Sequence, residues 1–242
     1  MARNFDGVND WTDLGTSHPI GTKCNSASGI TVVTWVLVES YPSSGNERII
    51  NSAIGSADTG IAILLNNSSN LSIGGRSVVS DTFFSRNISG PLVNIWARFA
   101  GVLDFANASI HHYLNGVVST TTNLAWANTV YSTSTRTATV RETIGCLNNL
   151  TANQFADCRL SFFQVFARAL SFGEIDQAHF NPGSIQRGMV FFAPMLSYST
   201  ATEPDLSGYL TATSINGATF INSNPPINKI FNPNELQLMS SY

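Results

Sequence analysis

Charged side chains are scarce in this sequence, and their scarcity limits the partners that it can bind. Only 11% of the 242 residues are Asp, Glu, Lys or Arg, and the formal net charge is −3, whereas soluble proteins usually carry about 25% charged residues. No basic stripe is present that could neutralise a phosphate backbone, which argues against nucleic acid as a partner. The surface must be built mostly from Ser, Thr, Asn and Gly. Such a surface suits a subunit packed in an assembly, and it also suits contact with sugars.

Long apolar segments and paired cysteines are missing too. No segment approaches the roughly 18 consecutive apolar residues of a transmembrane helix, so we expect no membrane partner. The first residues lack the apolar run of a signal peptide, and we expect synthesis and folding in a host cytoplasm. The odd number of cysteines, Cys24, Cys146 and Cys158, predicts free thiols in or near the core. A Cys146–Cys158 bridge is the alternative.

Short apolar segments, separated by Gly, Asn, Ser and Pro clusters, follow one another along the chain, and this cadence predicts an all-β sandwich. A chain of this length can bury the core of one large sandwich. Asn115-Gly116 predicts a tight hairpin turn, because both positions accept a positive φ. The predicted strands lie at residues 30–38, 48–52, 60–65, 71–73, 92–99, 110–118, 143–146, 160–166, 189–196 and 215–220.

A buried strand is expected to run directly into one short helix near residue 170. The strand, Leu160 to Phe166, is dense in aromatic and aliphatic side chains. Ser171 precedes Glu174 by three residues, which predicts a capping box at the start of the helix. Asn181-Pro182-Gly183 then ends the helix after about two turns. A helix of that length is not stable alone in water and must pack against the rest of the domain.

The same junction resembles a known family. The run Phe166-Ala-Arg-Ala-Leu-Ser-Phe-Gly-Glu-Ile175 is similar to the closing motif of laminin-G-like, concanavalin A-like jelly rolls. Residues 3–15 resemble the first strand and turn of that family, and Trp35 fits its early central strand. The hairpin pattern of the family is kept at Trp96, Gly101, Tyr113, Asn115 and Gly116. The resemblance covers about residues 3–182 and implies an antiparallel jelly-roll β-sandwich, while a fold of this kind says little about function.

The carboxyl-terminal part of the sequence differs in style from the rest. We expect residues 1–182 to form the sandwich and residues 183–242 to form an extension, whose Asn- and Pro-rich segment from residue 222 predicts an extended arm. Its apolar side chains would be exposed to water on a free tail, which argues that the arm packs against a surface. We therefore expect the arm either to fold back across the sandwich or to dock on a neighbouring subunit, through Ile227, Ile230, Phe231 and Leu236.

Catalytic carboxylates are the first functional residues to look for, because the family includes glucanases. A retaining glycosidase needs two carboxyl groups about 5 Å apart. Glu174 and Asp176 are the only pair with a suitable spacing, but the Ser171 cap places both on a helix, where Glu174 is expected to be a capping residue. The sequence offers no second pair, and we expect a protein that is not an enzyme.

Metal ligands are equally sparse. His111 and His112 are adjacent on a predicted strand and so point to opposite faces, which prevents them from chelating one metal ion. His18 and His179 are isolated and are expected to be structural. We expect no cofactor; calcium is the remaining option, because Asp side chains could bind it at the sandwich rim. The candidates, which do not cluster like a calcium loop and would otherwise form turns, are Asp6, Asp10, Asp13, Asp58, Asp81 and Asp104.

Sugar binding would need an exposed aromatic face. Trp35 and Trp96 lie in apolar strands and are expected in the core. Trp126 lies in a polar neighbourhood, and it is the candidate glycan contact.

Three functions are open at this point. The leading hypothesis is a non-enzymatic decoration or cement subunit on the capsid surface of a tailed bacteriophage, with copies of itself or capsid subunits as partners. It rests on the missing signal peptide, the uncharged surface and the apolar Pro/Asn-rich arm, and such a subunit could also contact glycans. The tail is in addition similar to those of laminin-G-like phage proteins at 204–208, 216–219 and 224–227. The alternative is a lectin module that binds cell-surface glycans through an exposed aromatic beside amide and carboxylate groups. A glycoside hydrolase comes third, because the carboxylate pair is missing.

Overall fold

Two eight-stranded antiparallel sheets pack face to face in the computed structural model of the protein. The structure describes residues 2–16, 19–53, 59–78, 80–133, 141–148, 152–196, 202–208 and 213–227. The first sheet runs in the order β10 (Val117–Thr121), β9 (Ser109–Leu114), β8 (Trp96–Asp104), β3 (Gly29–Val38), β14 (Asp157–Phe166), β1 (Ala2–Asp6) and β18 (Thr219–Ile221), with β15 (Met189–Ala193) also paired to β14.

The second sheet faces the first across an apolar interior. It runs in the order β16 (Thr202–Glu203), β17 (Thr213–Asn216), β2 (Trp11–Gly15), β11 (Glu142–Ile144), β4 (Asn46–Ala53), β5 (Thr59–Asn66), β6 (Asn70–Gly75) and β7 (Phe84–Ser89). A separate short pair joins β12 (Leu147–Asn148) to β13 (Ala152–Asn153), and the helices are α1 (Pro19–Lys23) and α2 (Phe172–Phe180). The predicted antiparallel jelly-roll β-sandwich is therefore confirmed. No helix within these described ranges is long and apolar enough to cross a membrane.

The central strands of the first sheet are buried on both faces. Along β3, Val32 and Val36 point between the sheets, whereas Val33 and Trp35 point outward into a second apolar cluster beneath α2. All ten residues of β3 are consequently buried. Strands covered on both sides read as continuous apolar runs, which is the pattern that the sequence shows here.

The helix α2 has the predicted ends. The Ser171 side chain accepts from the Glu174 backbone N–H while the Glu174 carboxylate accepts from the Ser171 N–H, which is a capping box, and Asn181 follows as the C-cap. The side-chain amide of Gln164 on β14 donates to the carbonyl oxygen of Ala178 at 3.1 Å. These contacts fix the helix on the outer face of the first sheet.

A second helix, α1, corrects the expectation of only one. Its first residue is Pro19, which suits a position whose N–H needs no partner. The next two N–H groups, of Ile20 and Gly21, donate to the buried carboxylate of Glu142 at 2.8 Å and 2.9 Å. Glu142 lies 122 positions further along the chain than Ile20. A cap so distant leaves no local signal in the sequence.

The strand predicted at residues 92–99 begins later, at Trp96. Asn94 adopts a left-handed backbone with φ of 60°, and its N–H donates to the carbonyl oxygen of Val38 at 2.8 Å. The chain therefore turns before it enters β8. The turn leaves three apolar side chains in solvent, with exposed fractions of 74% for Leu92, 47% for Val93 and 53% for Ile95.

The described part of the carboxyl-terminal segment adds strands to both sheets. β15 and β18 extend the first sheet, and β16 and β17 extend the second. Further on, the Ser223 hydroxyl accepts from the indole N–H of Trp96 at 3.2 Å, and Ile227 packs against the outer cluster. The other predicted arm residues, Ile230, Phe231 and Leu236, lie outside the described residues.

The three cysteines are buried and carry free thiols. Burial raises the pKa of the Cys146 thiol to about 12, and it raises the pKa of Cys158 well above the ordinary value. The alternative Cys146–Cys158 bridge is therefore wrong for this structure, and both thiols are held in their protonated, unreactive form.

Candidate functional site

One side of α2 presents two exposed phenyl rings on either side of a carboxylate. Phe172, Asp176 and Phe180 follow at intervals of four residues, which aligns them on one side of a helix. Phe172 is 47% exposed and Phe180 is 51% exposed, whereas Ile175 and Ala178 face the first sheet and are buried. The row is therefore an outward aromatic face on an otherwise amphipathic helix.

Polar side chains from β8 and β9 meet this row at its centre. Arg98 and Tyr113 both project from the outer face of the first sheet. The Nη1 atom of Arg98 lies 3.1 Å from Oδ1 of Asp176, and the Tyr113 hydroxyl donates to the same oxygen. The Arg98 guanidinium also lies 4.7 Å from the centroid of the Phe180 ring, and Tyr113 stacks on Phe172 with centroids 6.5 Å apart.

The Tyr113 hydroxyl keeps its proton under ordinary conditions. Burial and the hydrogen bond to Asp176 raise the pKa of Tyr113 to about 12. It therefore remains a donor to the carboxylate over the whole physiological range of pH.

His111 and Asn115 border the same surface. The His111 ring lies edge-on to Phe172 at a centroid distance of 6.3 Å, and its Nδ1 atom is 3.0 Å from the Thr120 hydroxyl. The exposed Asn115 side chain accepts from the Arg98 backbone N–H at 2.8 Å, which anchors the predicted Asn115-Gly116 turn. We call this set the α2 surface; it comprises Arg98, His111, Tyr113, Asn115, Phe172, Asp176 and Phe180.

The two carboxylates of α2 have separate roles. Glu174 accepts from both terminal guanidinium nitrogens of Arg168, at 2.7 Å and 3.1 Å. These bonds to Arg168 and the cap at Ser171 lower the pKa of Glu174 to about 2. Glu174 is thus the capping residue that the sequence predicts, and a carboxyl group with so low a pKa cannot act as a general acid near neutral pH. Asp176 instead forms an ion pair with Arg98 and accepts a hydrogen bond from Tyr113.

Trp126 lies away from the α2 surface. Its ring is half-buried against the inner core, with centroids 4.7 Å from Phe105 and 6.1 Å from Phe84. Trp35 is buried, as expected, and Trp96 is partly buried against the outer cluster. Trp126 as a glycan contact stays a prediction. The exposed aromatic side chains of the described surface are phenylalanines.

The candidate calcium ligands in the described residues are engaged in turns and ion pairs. Asp6 accepts from the backbone N–H groups of Val8 and Asn9, and Asp81 accepts from Ser77. The others bond nearby groups: Asp10 accepts from Asp6, Asp13 from Gly15 and Arg141, and Asp104 from Asn107. Within the described ranges, no three His, Cys, Asp or Glu side chains group together to hold a metal ion. Asp58 and His18 lie outside those ranges.

His112 and His179 have buried, structural positions, whereas His111 belongs to the α2 surface. His111 lies on the outer face of β9 and His112 is buried between the sheets, which confirms that the adjacent pair points to opposite faces. His179 is also buried, with Nδ1 3.0 Å from the carbonyl oxygen of Ile175 and Nε2 3.0 Å from that of Phe99.

Residues 6–176 match the family described as the concanavalin A-like lectin/glucanases superfamily. The chain belongs to this superfamily. The match covers most of the chain, including every residue of the α2 surface except Phe180. No curated protein sequence matches this member of the superfamily significantly.

Solved structures share the fold of this superfamily member at low sequence identity. A proposed carbohydrate-binding protein from Bacteroides ovatus aligns with a TM-score of 0.67 and 16% identity over 94% of this chain, which spans only 61% of that protein's length. The heptameric SAP-like pentraxin from Limulus polyphemus gives a TM-score of 0.56 and 12% identity, covering 89% of this chain and 95% of the pentraxin. The CBM40 module of the Ruminococcus gnavus IT-sialidase, bound to α2,3-sialyllactose, gives a TM-score of 0.50 and 12% identity, covering 72% of this chain and 95% of the module. Likenesses of this degree show the fold alone.

The sequence predicts the helix α2, whereas the exposed aromatic face of that helix is not among the predictions. The sequence does carry a signal for this face. Ile175 and Ala178 mark the buried side of the helix, and Phe172 and Phe180 lie on the opposite, outward side. The contributions of Arg98 and Tyr113 had no such signal. They depend on which residues of β8 and β9 lie beside the helix, and only the register of the folded sheet gives that.

Proposed function

We propose that the protein is a non-enzymatic, glycan-binding lectin module and that the α2 surface is its sugar site. The observation that carries the proposal is the arrangement of Phe172 and Phe180 around the Arg98–Asp176 pair. Sugars present apolar C–H faces together with hydroxyl groups. Exposed rings can cover the former, and a few fixed polar groups can orient the latter.

The polar groups of the surface are held in place before a ligand arrives. Arg98 and Tyr113 both bond one oxygen of Asp176, and Arg98 lies over the Phe180 ring. Each side chain restricts its neighbours, so little rotamer freedom remains to be lost on binding. The capped helix and the central strands of the sheet supply a rigid support.

Membership of a lectin/glucanase superfamily supports the proposal, as does the fold shared with proteins described as carbohydrate binding. A non-catalytic role is supported by the two carboxylates of α2, because Glu174 caps the helix and Asp176 is tied to Arg98. An exposed aromatic beside amide and carboxylate groups is also what the lectin hypothesis predicts.

The test is a glycan array probed with the purified protein and with the double variant Phe172→Ala/Phe180→Ala. We expect hits with the natural chain that disappear with the variant. Leu92→Ala, which also trims an exposed apolar side chain but lies on another loop, should keep the hits. An array without hits for the natural chain would sink the proposal.

A second candidate is a structural subunit of an assembly, including the expected decoration role on a phage capsid. Leu92, Val93 and Ile95 favour it, because three exposed apolar side chains on one turn suit a protein contact. The SAP-like pentraxin that shares the fold is heptameric, which supports an assembled state for a chain of this fold. None of the relatives named above is a virion protein, and the lectin function is the better supported of the two.

Light scattering tests the assembly candidate, with the full chain compared against a chain that ends after Ile227. That end point keeps every described strand, including β17 and β18, which a cut after Pro194 would remove. A defined oligomer from the full chain and a monomer from the shortened chain would support an assembly arm. Two monomers would rule it out.

A further inference from the structure

Resting on the proposed sugar-binding function, we propose that the α2 surface binds an extended, uncharged oligosaccharide of at least two sugar units. The ligand would lie along the helix, with separate units on Phe172 and Phe180 and hydroxyl groups between them on Arg98 and Asp176.

The first argument is the spacing of the two rings. Phe172 and Phe180 are eight residues apart, which corresponds to about 12 Å along a helix axis. Both are about half exposed, and Asp176 lies midway. A single sugar ring that stacks on one phenyl ring does not extend to the other. A chain of sugars can cover both.

The second argument is the bonding capacity left between the rings. Arg98 and Tyr113 both contact Oδ1 of Asp176, and among the described residues its Oδ2 atom has no hydrogen-bond partner. The side chain is 48% exposed. Arg98 uses Nη1 on Asp176, and a guanidinium has five N–H donors in all. An acceptor and several donors therefore lie side by side at the centre of the row, where neighbouring hydroxyl groups of a sugar could engage both.

The third argument is charge. The positive charge of Arg98 and the negative charge of Asp176 cancel within the pair, and Glu174 is cancelled in the same way by Arg168. The surface therefore offers no net attraction to a carboxylate or sulfate group. An anionic sugar would have to give up hydration and compete with Asp176 for Arg98, whereas an uncharged sugar keeps the pair intact.

The experiment is a calorimetric titration with malto-, cello-, manno- and galacto-oligosaccharides of one to four units, and with sialyllactose as the anionic probe. In the series that binds, we expect affinity to rise about tenfold or more from one unit to three, because only the longer ligand can stack on both rings; tenfold corresponds to about 1.4 kcal/mol. Sialyllactose should bind more weakly than the best neutral trisaccharide.

Variants assign the effect to the two rings. Phe172→Ala and Phe180→Ala should each lower the affinity for the trisaccharide about tenfold. In each variant the affinity for the trisaccharide should then be nearly equal to the affinity for the monosaccharide. Phe172→Leu keeps an apolar side chain without an aromatic face and should behave like Phe172→Ala. Leu92→Ala is the matched control and should bind like the natural chain. Thermal melts check that every variant is folded.

The outcomes separate this inference from the proposed function. Equal affinity for one and three units, tightest binding of sialyllactose, or binding that survives both Phe variants would overturn the inference while glycan binding itself stands. No binding to any sugar on the array or in the titrations would overturn both.

Discussion

The indole N–H of Trp35 donates a hydrogen bond to the backbone carbonyl oxygen of His179, 3.1 Å away. The two rings also meet edge to face with centroids 6.1 Å apart. Trp35 lies on β3 in the middle of the first sheet, and His179 lies in the last turn of α2. This contact and the hydrogen bonds of the His179 ring fix the distance between α2 and the first sheet, and so position the exposed face of the helix beside β8 and β9.

Replacing Trp35 by Phe should destabilise the protein and loosen α2. The variant keeps an aromatic ring but leaves the buried carbonyl of His179 without this donor, at a cost of about 1–3 kcal/mol in the free energy of unfolding. Urea unfolding measures the loss. Trp96→Phe removes an indole N–H that donates to the Ser223 hydroxyl at a partly buried position, and its effect should be smaller. Equal effects of the two changes would contradict a special role for the Trp35–His179 contact.

A buried ion pair joins the two sheets at the other side of the sandwich. Arg3 on β1 and Glu203 on β16 are 2.6 Å apart, and both side chains are fully buried. Glu203 also accepts from the Met195 N–H at 2.7 Å. Removing one partner would leave a charge in an apolar interior.

Arg3→Met and Glu203→Met should therefore each destabilise the protein by about 3–5 kcal/mol, because breaking a buried pair strands the remaining group. The double variant Arg3→Met/Glu203→Met should recover much of that loss. Chemical denaturation of the four proteins gives a double-mutant cycle. Additive losses would show that the two side chains contribute independently.

The local features of the fold are the ones that the sequence could predict. Ser171 and Glu174 are three residues apart, and Asn115 and Gly116 are adjacent, so the cap and the hairpin turn are written in short stretches of chain. The nearly continuous run of apolar residues along β3 likewise indicates a strand buried on both faces. These elements follow from the geometry of a few neighbouring residues.

The candidate site could not be predicted in the same way. Arg98 and Asp176 are 78 positions apart, and their contact requires the register of β8 and the angle at which α2 crosses the sheet. Leu92 looked like part of a strand, because an apolar run gives no sign that Asn94 turns to a left-handed backbone. The polar neighbours of Trp126 in sequence predict an exposed ring, whereas the ring is half-buried against Phe105 from another loop. Each of these facts is set by tertiary contacts.

His112 makes the protein sensitive to acid. It is fully buried between the sheets, and in the described part of the chain neither ring nitrogen has a hydrogen-bond partner. Burial first, and then repulsion from the Arg86 guanidinium, lowers the pKa of His112 from 6.5 to about 3. Arg86 on β7 is itself held by the hydroxyl of Ser119, the residue opposite His112 on β10. The charge that opposes protonation is thus fixed in place.

The sign of the pH dependence follows from which state binds the proton. Well above pH 6.5 the imidazole is neutral in both the folded and the unfolded chain, and it adds no pH dependence. Between pH 6.5 and about 3, His112 becomes protonated in the unfolded chain but stays neutral in the folded chain. The free energy of unfolding should therefore fall with decreasing pH across this window, by an amount on the order of 1.4 kcal/mol per pH unit. His179 adds to the loss, because burial lowers its pKa to about 4.

Replacing His112 by Leu should make the protein less sensitive to acid. An apolar side chain of similar size removes both the proton-binding group and two unbonded ring nitrogens, so stability at pH 7 should be unchanged or higher. Urea unfolding at pH 7 and at pH 4.5 measures the difference for each protein. His111→Leu, one residue away on the opposite face of β9, is the control for the loss of one imidazole. If the natural chain and His112→Leu lose the same stability between the two pH values, the acid sensitivity originates elsewhere in the fold.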